Sequence, residues 1–359
     1  MNTATLPTLT PTPASTANSA VLNPSGDSSP LTLRAIVQSL PKTIFLKDRV
    51  KAWSQLGLSL LMAGLGYVGL ALAPWYLLPI VWVFTGTALT GWFVVGHDCG
   101  HRSFSNRKWV NNWVGHFMFL PLLYPFHSWR IGHNHHHRYT NHLTEDNAWA
   151  PFTPEFYSSL PPILQKGYQL LRGKLWFFAS IVHWLQMHFS WWTFKPEEQK
   201  CVRRSVLLVV FAALIGFPLL FATVGVWGWV KFWLMPWLVY HFWMSTFTLV
   251  HHTDTNIPFK PGDTWNEAEA QLEGTIHCEY PVWVELLCHH INVHVPHHIS
   301  TAIPSYNLRE AYGIIKDKWG DRCQERRFSW ELMKRITEEC HLYDEVNFYQ
   351  SFQTYHQSN

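Results

Sequence analysis

The feature that most constrains the fold is a set of four long stretches without Asp, Glu, Lys or Arg. They cover residues 54–73, 75–96, 205–230 and 232–250. Each has about 20 residues or more, the length that a helix needs to cross ~30 Å of hydrocarbon. Only Pro74 separates the first pair, and Lys231 separates the second. The sequence therefore predicts four transmembrane helices arranged as two hairpins.

The composition agrees with a membrane protein. Only 14% of the residues are charged, against about 25% in a typical soluble domain. There are 21 tryptophans, a residue that concentrates at membrane–water interfaces. The net charge of +3 is too small to indicate a nucleic-acid partner, and none is expected. The six cysteines form no Cys-x-x-Cys pair, which indicates reduced thiols rather than a disulfide framework.

The basic residues predict the orientation of the spans. They flank the first span on its N-terminal side, follow the second span and precede the third: Lys42, Lys47, Arg49, Lys51, Arg102, Arg107, Lys108, Lys195, Lys200, Arg203 and Arg204. The two opposite loops carry only Lys231. Since basic loops stay in the cytoplasm, both termini are predicted to be cytoplasmic, together with residues 97–204 and 251–359.

The chain is expected to form one membrane domain between two tails. Residues 1–33 are rich in Thr, Pro, Ser and Ala, a composition typical of a disordered tail. The domain is predicted over 34–345 and a C-terminal tail over 346–359. Two further apolar stretches, 109–126 and 175–192, contain histidines and polar breaks, so we expect helices that lie at the cytoplasmic face.

Three histidine clusters lie on the predicted cytoplasmic side. Their sequences are "HDCGH" (97–101), "HNHHH" (133–137) and "HVPHH" (294–298). On a helix, residues at i, i+3 and i+4 share one face. Each cluster therefore presents one face of imidazoles: His97 and His101; His133, His136 and His137; His294, His297 and His298. His135 points about 200° away from His133 and is predicted to be a bystander.

Eight imidazoles exceed the needs of one metal ion and predict two ions. Structural zinc would need four ligands and usually recruits cysteine, whereas imidazole suits iron, copper and zinc alike. His251 and His252 end the fourth span, and one of them is predicted as a further ligand, with a role at the membrane interface as the alternative. A metal or proton transporter, or a bis-histidine haem protein, would need histidines within several spans; only His241 lies inside one.

The clusters and their flanks resemble the integral-membrane fatty acid desaturases. That family has three histidine boxes, His-x3-4-His and two of His-x2-3-His-His, which stand here as "HDCGH", "HNHHH" and "HVPHH". The flanks "GTALTGWFVVGHDCGHRSF" and "HVPHHISTAIPSYNLR" are most similar to the delta-12 (omega-6) acyl-lipid desaturases of cyanobacteria. The expected fold is an all-α membrane protein with a cytoplasmic helical cap that holds a histidine-rich dimetal site.

The resemblance implies a non-haem centre of two Fe2+ ions, O2 as cosubstrate and an acyl chain of a membrane glycerolipid as substrate. It implies conversion of oleoyl to linoleoyl chains, an external donor such as reduced ferredoxin, and a thylakoid or plasma membrane location. The family's ninth histidine corresponds to His252. Some relatives have an Asn at the position of Thr248. The alternatives are a sister di-iron hydroxylase or epoxygenase, or a desaturase of omega-3 or delta-9 specificity.

Overall fold

Helices form most of the computed structural model, which describes residues 31–358. The helices are α1 (Leu33–Gln38), α2 (Arg49–Leu72), α3 (Leu78–His101), α4 (Lys108–Phe119), α5 (Phe126–Arg138), α6 (Pro154–Ser159), α7 (Pro162–Arg172), α8 (Ala179–His188), α9 (Pro196–Trp229), α10 (Met235–His252), α11 (Glu267–Glu273), α12 (Val282–Leu287), α13 (His294–Ile299), α14 (Leu308–Trp319), α15 (Trp330–Glu339) and α16 (Phe352–Ser358). The prediction of a mostly helical chain is confirmed. Residues 1–30, most of the predicted N-terminal tail, lie outside the described range.

Helices α2 and α3 form a hairpin around Pro74. Asp48 caps α2, and its Oδ1 accepts hydrogen bonds from the backbone N–H groups of Val50 (2.7 Å) and Lys51 (3.1 Å). The helix ends at Ala73, which has extended backbone angles, as a residue before proline prefers. The two helices approach closely where Gly66 meets Thr85: a Cβ on Gly66 would lie 2.6 Å from Thr85 Oγ1.

The run from α9 to α10 folds back on itself at Gly225. This residue has φ 67° and ψ −175° inside an otherwise helical run, a conformation open essentially only to glycine. The rings of Phe217 and Trp233 then lie 4.7 Å apart, whereas a continuous helix would separate the two residues by ~24 Å. Lys231 follows the reversal, in the π-helical segment Val230–Leu234.

Within residues 31–358, three helical runs are long and apolar enough to cross a membrane. They are Arg49–Leu72, Trp75–His101 and Pro196–His252. The third run contains both predicted spans 205–230 and 232–250, together with the reversal at Gly225. Helices α4 and α8 are ~18 and ~15 Å long at 1.5 Å per residue, too short to cross ~30 Å of hydrocarbon.

The described part of the chain also contains two short sheets, which the all-α prediction did not include. Strands β1 (Ile276–Glu279) and β2 (Gln324–Arg327) pair in parallel, and β3 (Leu342–Asp344) and β4 (Phe348–Gln350) pair antiparallel. The predicted C-terminal tail thus includes a strand and α16, and Phe352 stacks on His341 with ring centroids 4.1 Å apart.

Close packing of α3 on α10 brings two histidine-bearing helix ends together. A Cβ on Gly86 would lie 2.6 Å from the backbone oxygen of Pro236 and 2.4 Å from the Cβ of Val239, so only glycine allows this approach. Both helices end at histidines, α3 at His101 and α10 at His252. The C-terminal ends of α3 and α10 therefore lie next to each other, and α5 and α13 complete the walls of the histidine site.

Candidate metal centre

Four helices bring all nine predicted histidines together. His97 and His101 lie in the last turns of α3, and His252 is the last residue of α10. Helix α5 supplies His133, His136 and His137, and helix α13 supplies His294, His297 and His298. Pro296 lies in the first turn of α13, where a missing N–H costs no helical hydrogen bond. The nine imidazoles form two neighbouring sets.

The first set has five histidines: His97, His101, His133, His137 and His297. One nitrogen from each lies within 4.8 Å of the corresponding nitrogens of the other four. Within it, the Nε2 atoms of His97 and His297 are 3.2 Å apart, and those of His133 and His137 are 3.1 Å apart. Five converging imidazole nitrogens can surround one metal ion.

The second set has four histidines. Nitrogens of His136, His252 and His298 lie within 4.8 Å of one another. His294 joins them, because its Nε2 lies 2.9 Å from His252 Nε2 and 3.0 Å from His298 Nε2. His136 and His252 approach to 3.3 Å through the same atoms.

Helices α5 and α13 each contribute to both sets. On α5, His133 and His137 belong to the first set and His136 to the second; on α13, His297 belongs to the first set, and His294 and His298 to the second. Residues at i and i+4 lie nearly above one another, whereas the residue at i+3 is rotated to the other side of them. The i, i+3, i+4 spacing therefore divides each helix face between two sites.

Acceptors at Nδ1 fix the protonation of three histidines of the second set, His136, His294 and His298. Asp146 Oδ1 lies 2.7 Å from His136 Nδ1, and Gln271 Oε1 lies 2.8 Å from His298 Nδ1. Gln271 donates its amide N–H to the backbone oxygen of His137, which leaves its oxygen for His298. His294 Nδ1 lies 3.3 Å from the backbone oxygen of Ile291. Each of these three Nδ1 atoms therefore carries the proton, and each of the three Nε2 atoms has a lone pair.

These Nε2 lone pairs converge on one point, where they repel one another unless a cation lies between them. A carboxylate or carbonyl behind a histidine is also the usual arrangement for a metal ligand. The residues of the second set therefore fit a divalent cation. Asp98 contacts the first set differently: its Oδ1 is 3.5 Å from His97 Nδ1, too long for a strong hydrogen bond, and its Oδ2 accepts from Ser305 N–H (3.0 Å).

Burial keeps five of the site histidines neutral. It lowers the pKa well below the ordinary histidine value, and the neighbouring imidazoles lower the pKa further, at His133, His137, His294, His297 and His298. A neutral imidazole is the form that binds metal.

Four histidines that are close to the proposed ligands in the sequence do not join either set. His135 contacts the backbone oxygen of Glu145 through Nε2 (2.8 Å) and points away, as its helical phase predicted. His289 bonds Ser59 Oγ (2.6 Å), and His290 accepts from Arg309 (2.9 Å). The ring of His251 stacks on Phe247 and lies 4.5 Å from the His294 ring, beside the site.

Sequence reasoning missed Gln271 and Thr140, which contact ligands of the second set. Thr140 Oγ1 donates to His136 O and lies 3.1 Å from His298 Nδ1. Gln271 lies on α11, which has no histidine and no spacing that relates it to α13. Thr248 donates to the Met244 backbone oxygen (2.8 Å), so its hydroxyl proton is used within α10.

A cavity of about 530 Å3 lies against both sets. Its wall includes His97 and His133 of the first set and His136, His252 and His294 of the second. The other lining is largely aromatic and aliphatic, with contributions from Phe93, Val94, Trp129, Met244, Phe247 and Ile291. The exposed residues in the wall are Gln186, Met187 and Thr193, so the cavity opens there, between α8 and α9.

Comparison with known sequences agrees with this geometry. The sequence model of the family described as fatty acid desaturase matches residues 50–330, a range that contains all nine histidines. The chain belongs to the fatty acid desaturase family. It is therefore an oxidoreductase, and the recognition of the histidine boxes is confirmed.

Several curated desaturases are similar over 90% or more of this chain. The sn-1 oleoyl-lipid 12-desaturase of Picosynechococcus sp. is 62% identical over 90% of this chain and 93% of its own. The protein of the same name from Synechocystis sp. is 53% identical over 98% of both chains. The chloroplastic omega-6 fatty acid desaturase of Brassica napus is 51% identical over 90% of this chain and 72% of its own.

Proposed function

We propose that this desaturase introduces a cis double bond at the delta-12 position of oleoyl chains in membrane glycerolipids. The observation that carries the proposal is that both histidine sets contribute to the wall of a largely apolar cavity of about 530 Å3. Cavities of this size hold elongated small molecules. The substrate class follows from the curated names of relatives that match 90% or more of this chain.

Two Fe2+ ions are the proposed metals, the first held by His97, His101, His133, His137 and His297, and the second by His136, His252, His294 and His298. Bound iron supplies the reduction of O2 and the removal of two hydrogens from adjacent methylenes. The reaction balances as –CH2–CH2– + O2 + 2 e− + 2 H+ giving –CH=CH– + 2 H2O. The electrons come from an external donor, which we propose to be reduced ferredoxin.

The protein's own part is to hold one carbon pair beside the histidines and to exclude water. Phe93 stacks on Phe119 with ring centroids 4.7 Å apart and contacts the Trp129 ring edge at 5.3 Å. Trp129 in turn stacks on His133 at 4.6 Å. These aromatic contacts hold the cavity wall against His133, a proposed ligand of the first set. The position of the acyl chain in the cavity is therefore linked to the position of the metal.

The membrane arrangement proposed is four spans with both termini in the cytoplasm, in the thylakoid or plasma membrane. Exposed arginines support a cytoplasmic entry for electrons, because Arg102 directly follows His101 and Arg138 directly follows His137. Exposed cations of this kind favour the approach of a small acidic donor.

Expression in a host that makes only monounsaturated lipids tests the function. We expect new linoleoyl chains, located by mass spectrometry of derivatised double bonds, with the intact chain and with His135→Ala, and none with His136→Ala. A hydroxylated or epoxidised oleoyl chain, a new bond at delta-15, or formation of monoenes from saturated chains would each contradict the delta-12 assignment.

A further inference from the structure

One wall of the cavity carries polar side chains, which an acyl chain does not require for binding. Helix α8 presents Ser180, His183 and His188 to the cavity, at positions i, i+3 and i+8. Ser180 is already satisfied, because its Oγ lies 2.8 Å from both His241 Nδ1 and the His241 backbone oxygen. His183 and His188 have no such hydrogen bond among residues 31–358, and neither belongs to a histidine set.

His188 is buried without a hydrogen bond. It is 4% exposed, and its buried Nδ1 has no hydrogen-bond partner among residues 31–358. Its ring contacts are with Tyr124 (5.1 Å) and His183 (5.6 Å). A buried polar group without a partner lowers stability, so such a group in a cavity wall indicates a missing ligand atom.

The protonation of His188 makes it a donor to a neutral acceptor. Burial lowers its pKa well below the ordinary value, and His183 and His241 lower the pKa further. The neutral ring keeps one N–H and one lone pair. A carboxylate would be poorly matched to it, whereas a carbonyl oxygen is a suitable partner.

The surroundings of His188 match the depth of a lipid ester. Met187 and Thr193 form the cavity opening beside it, and Trp192 and Leu185 nearby are 62% and 56% exposed. Exposed tryptophans on a short helical segment are typical of the membrane–water interface. In a glycerolipid the ester group lies in that zone, between the polar headgroup and the hydrocarbon.

We propose that His188 donates its ring N–H to the ester carbonyl oxygen of the acyl chain. This inference rests on the proposed function, since it requires a glycerolipid substrate. The hydrogen bond fixes the carboxyl end of the chain at the opening, and the fixed distance from there to the histidine sets selects the carbon pair. His188 is thus a positioning residue, and the carbon pair that reacts is set by its distance from the ester group.

Paired lipids with ester and ether linkages test the proposal. Purified protein with two irons, in vesicles of phosphatidylcholine, is given an oleoyl ester or the matching octadec-9-enyl ether, which lacks the carbonyl. We expect the intact protein to prefer the ester on the order of tenfold, the value of one hydrogen bond. His188→Leu should lose the preference by slowing only the ester, and His188→Gln, which keeps a donor, should restore part of it.

The ratio of the two rates is independent of how much enzyme folds. Leu185→Ala, on the exposed side of the same helix, is the matched control and should keep the full ester preference. Equal rates on ester and ether with the intact protein, or an unchanged ratio in His188→Leu, would overturn the proposal while leaving desaturation itself intact. No product from oleoyl ester with the intact protein would instead overturn the proposed function on which the inference rests.

Discussion

His135 and His136 are adjacent in the chain but have opposite surroundings. His136 is 2% exposed and lies between Asp146 and His252. His135 reaches outward to the backbone of Glu145. A step of about 100° along α5 therefore separates a proposed ligand from a bystander.

Replacement of these two histidines should affect bound iron differently. We expect His135→Ala to keep about two irons per chain, because its ring faces neither set. His136→Ala should lose the iron of the second set, since three imidazoles remain there, and should abolish desaturation. Metal analysis of purified protein measures both. Equal iron in the two variants would contradict the assignment.

Asp146 should tune the second metal through His136. Its carboxylate also accepts N–H groups from Asn141 (2.8 Å) and Ala148 (2.9 Å), which hold it in place. Asp146→Asn retains an acceptor oxygen but removes the charge, and we expect iron affinity to fall about 10- to 100-fold. Competition with a chelator measures this. Asp263→Asn, a carboxylate outside both sets, is the control and should leave the affinity unchanged.

At the residue scale the candidate ligands could be predicted from the sequence because helical spacing is local. The clusters at i, i+3 and i+4 need only one helix each to be recognised. The division into two sets, and the role of Gln271, depend on how α3, α5, α10, α11 and α13 pack. No spacing within one helix contains that information.

The reversal at Gly225 is the element that lets one long apolar run return to the site. The residues around Gly225 are apolar, so hydropathy does not reveal the turn. The separation of the two spans is therefore predicted from the sequence at the charged residue Lys231. The left-handed backbone of a single glycine determines where the chain turns, and glycines occur elsewhere in the same run without this role.

Gly225→Ala should destabilise the protein by about 1–3 kcal/mol, because alanine is strained at this φ and ψ. The space around it is open, so strain rather than collision causes the loss. Gly216→Ala is the matched control: it also has open space and lies in α9 without a positive φ, and we expect it to be neutral or slightly stabilising. Thermal unfolding in detergent compares them, and equal unfolding midpoints would argue against the turn.

For the whole molecule, buried histidines make stability dependent on pH. Burial lowers the pKa of His183 and of His289 to about 4, against about 6.5 when unfolded. The unfolded chain therefore binds more protons below about pH 6.5, and the free energy of unfolding falls as pH drops toward 4. Each group contributes on the order of 3 kcal/mol above this window.

We expect the chelator-treated protein to unfold at progressively lower temperature as pH falls from 7 to 5, and to show little change from 7 to 8. Restored iron should raise the unfolding temperature at pH 7, since a ligand that binds only the folded state stabilises it. A midpoint that is constant between pH 7 and 5 without iron would contradict the burial of these rings as neutral groups.

The shared use of α5 and α13 by both sets has a consequence for how the protein acquires iron. An ion that enters the first set fixes His133, His137 and His297, and so orients the two helices that also carry His136, His294 and His298. The second ion then meets ligands that are already ordered and loses less conformational freedom on binding. Iron loading should be cooperative, so that a titration passes from empty to fully loaded chains with little accumulation of the species that holds a single ion.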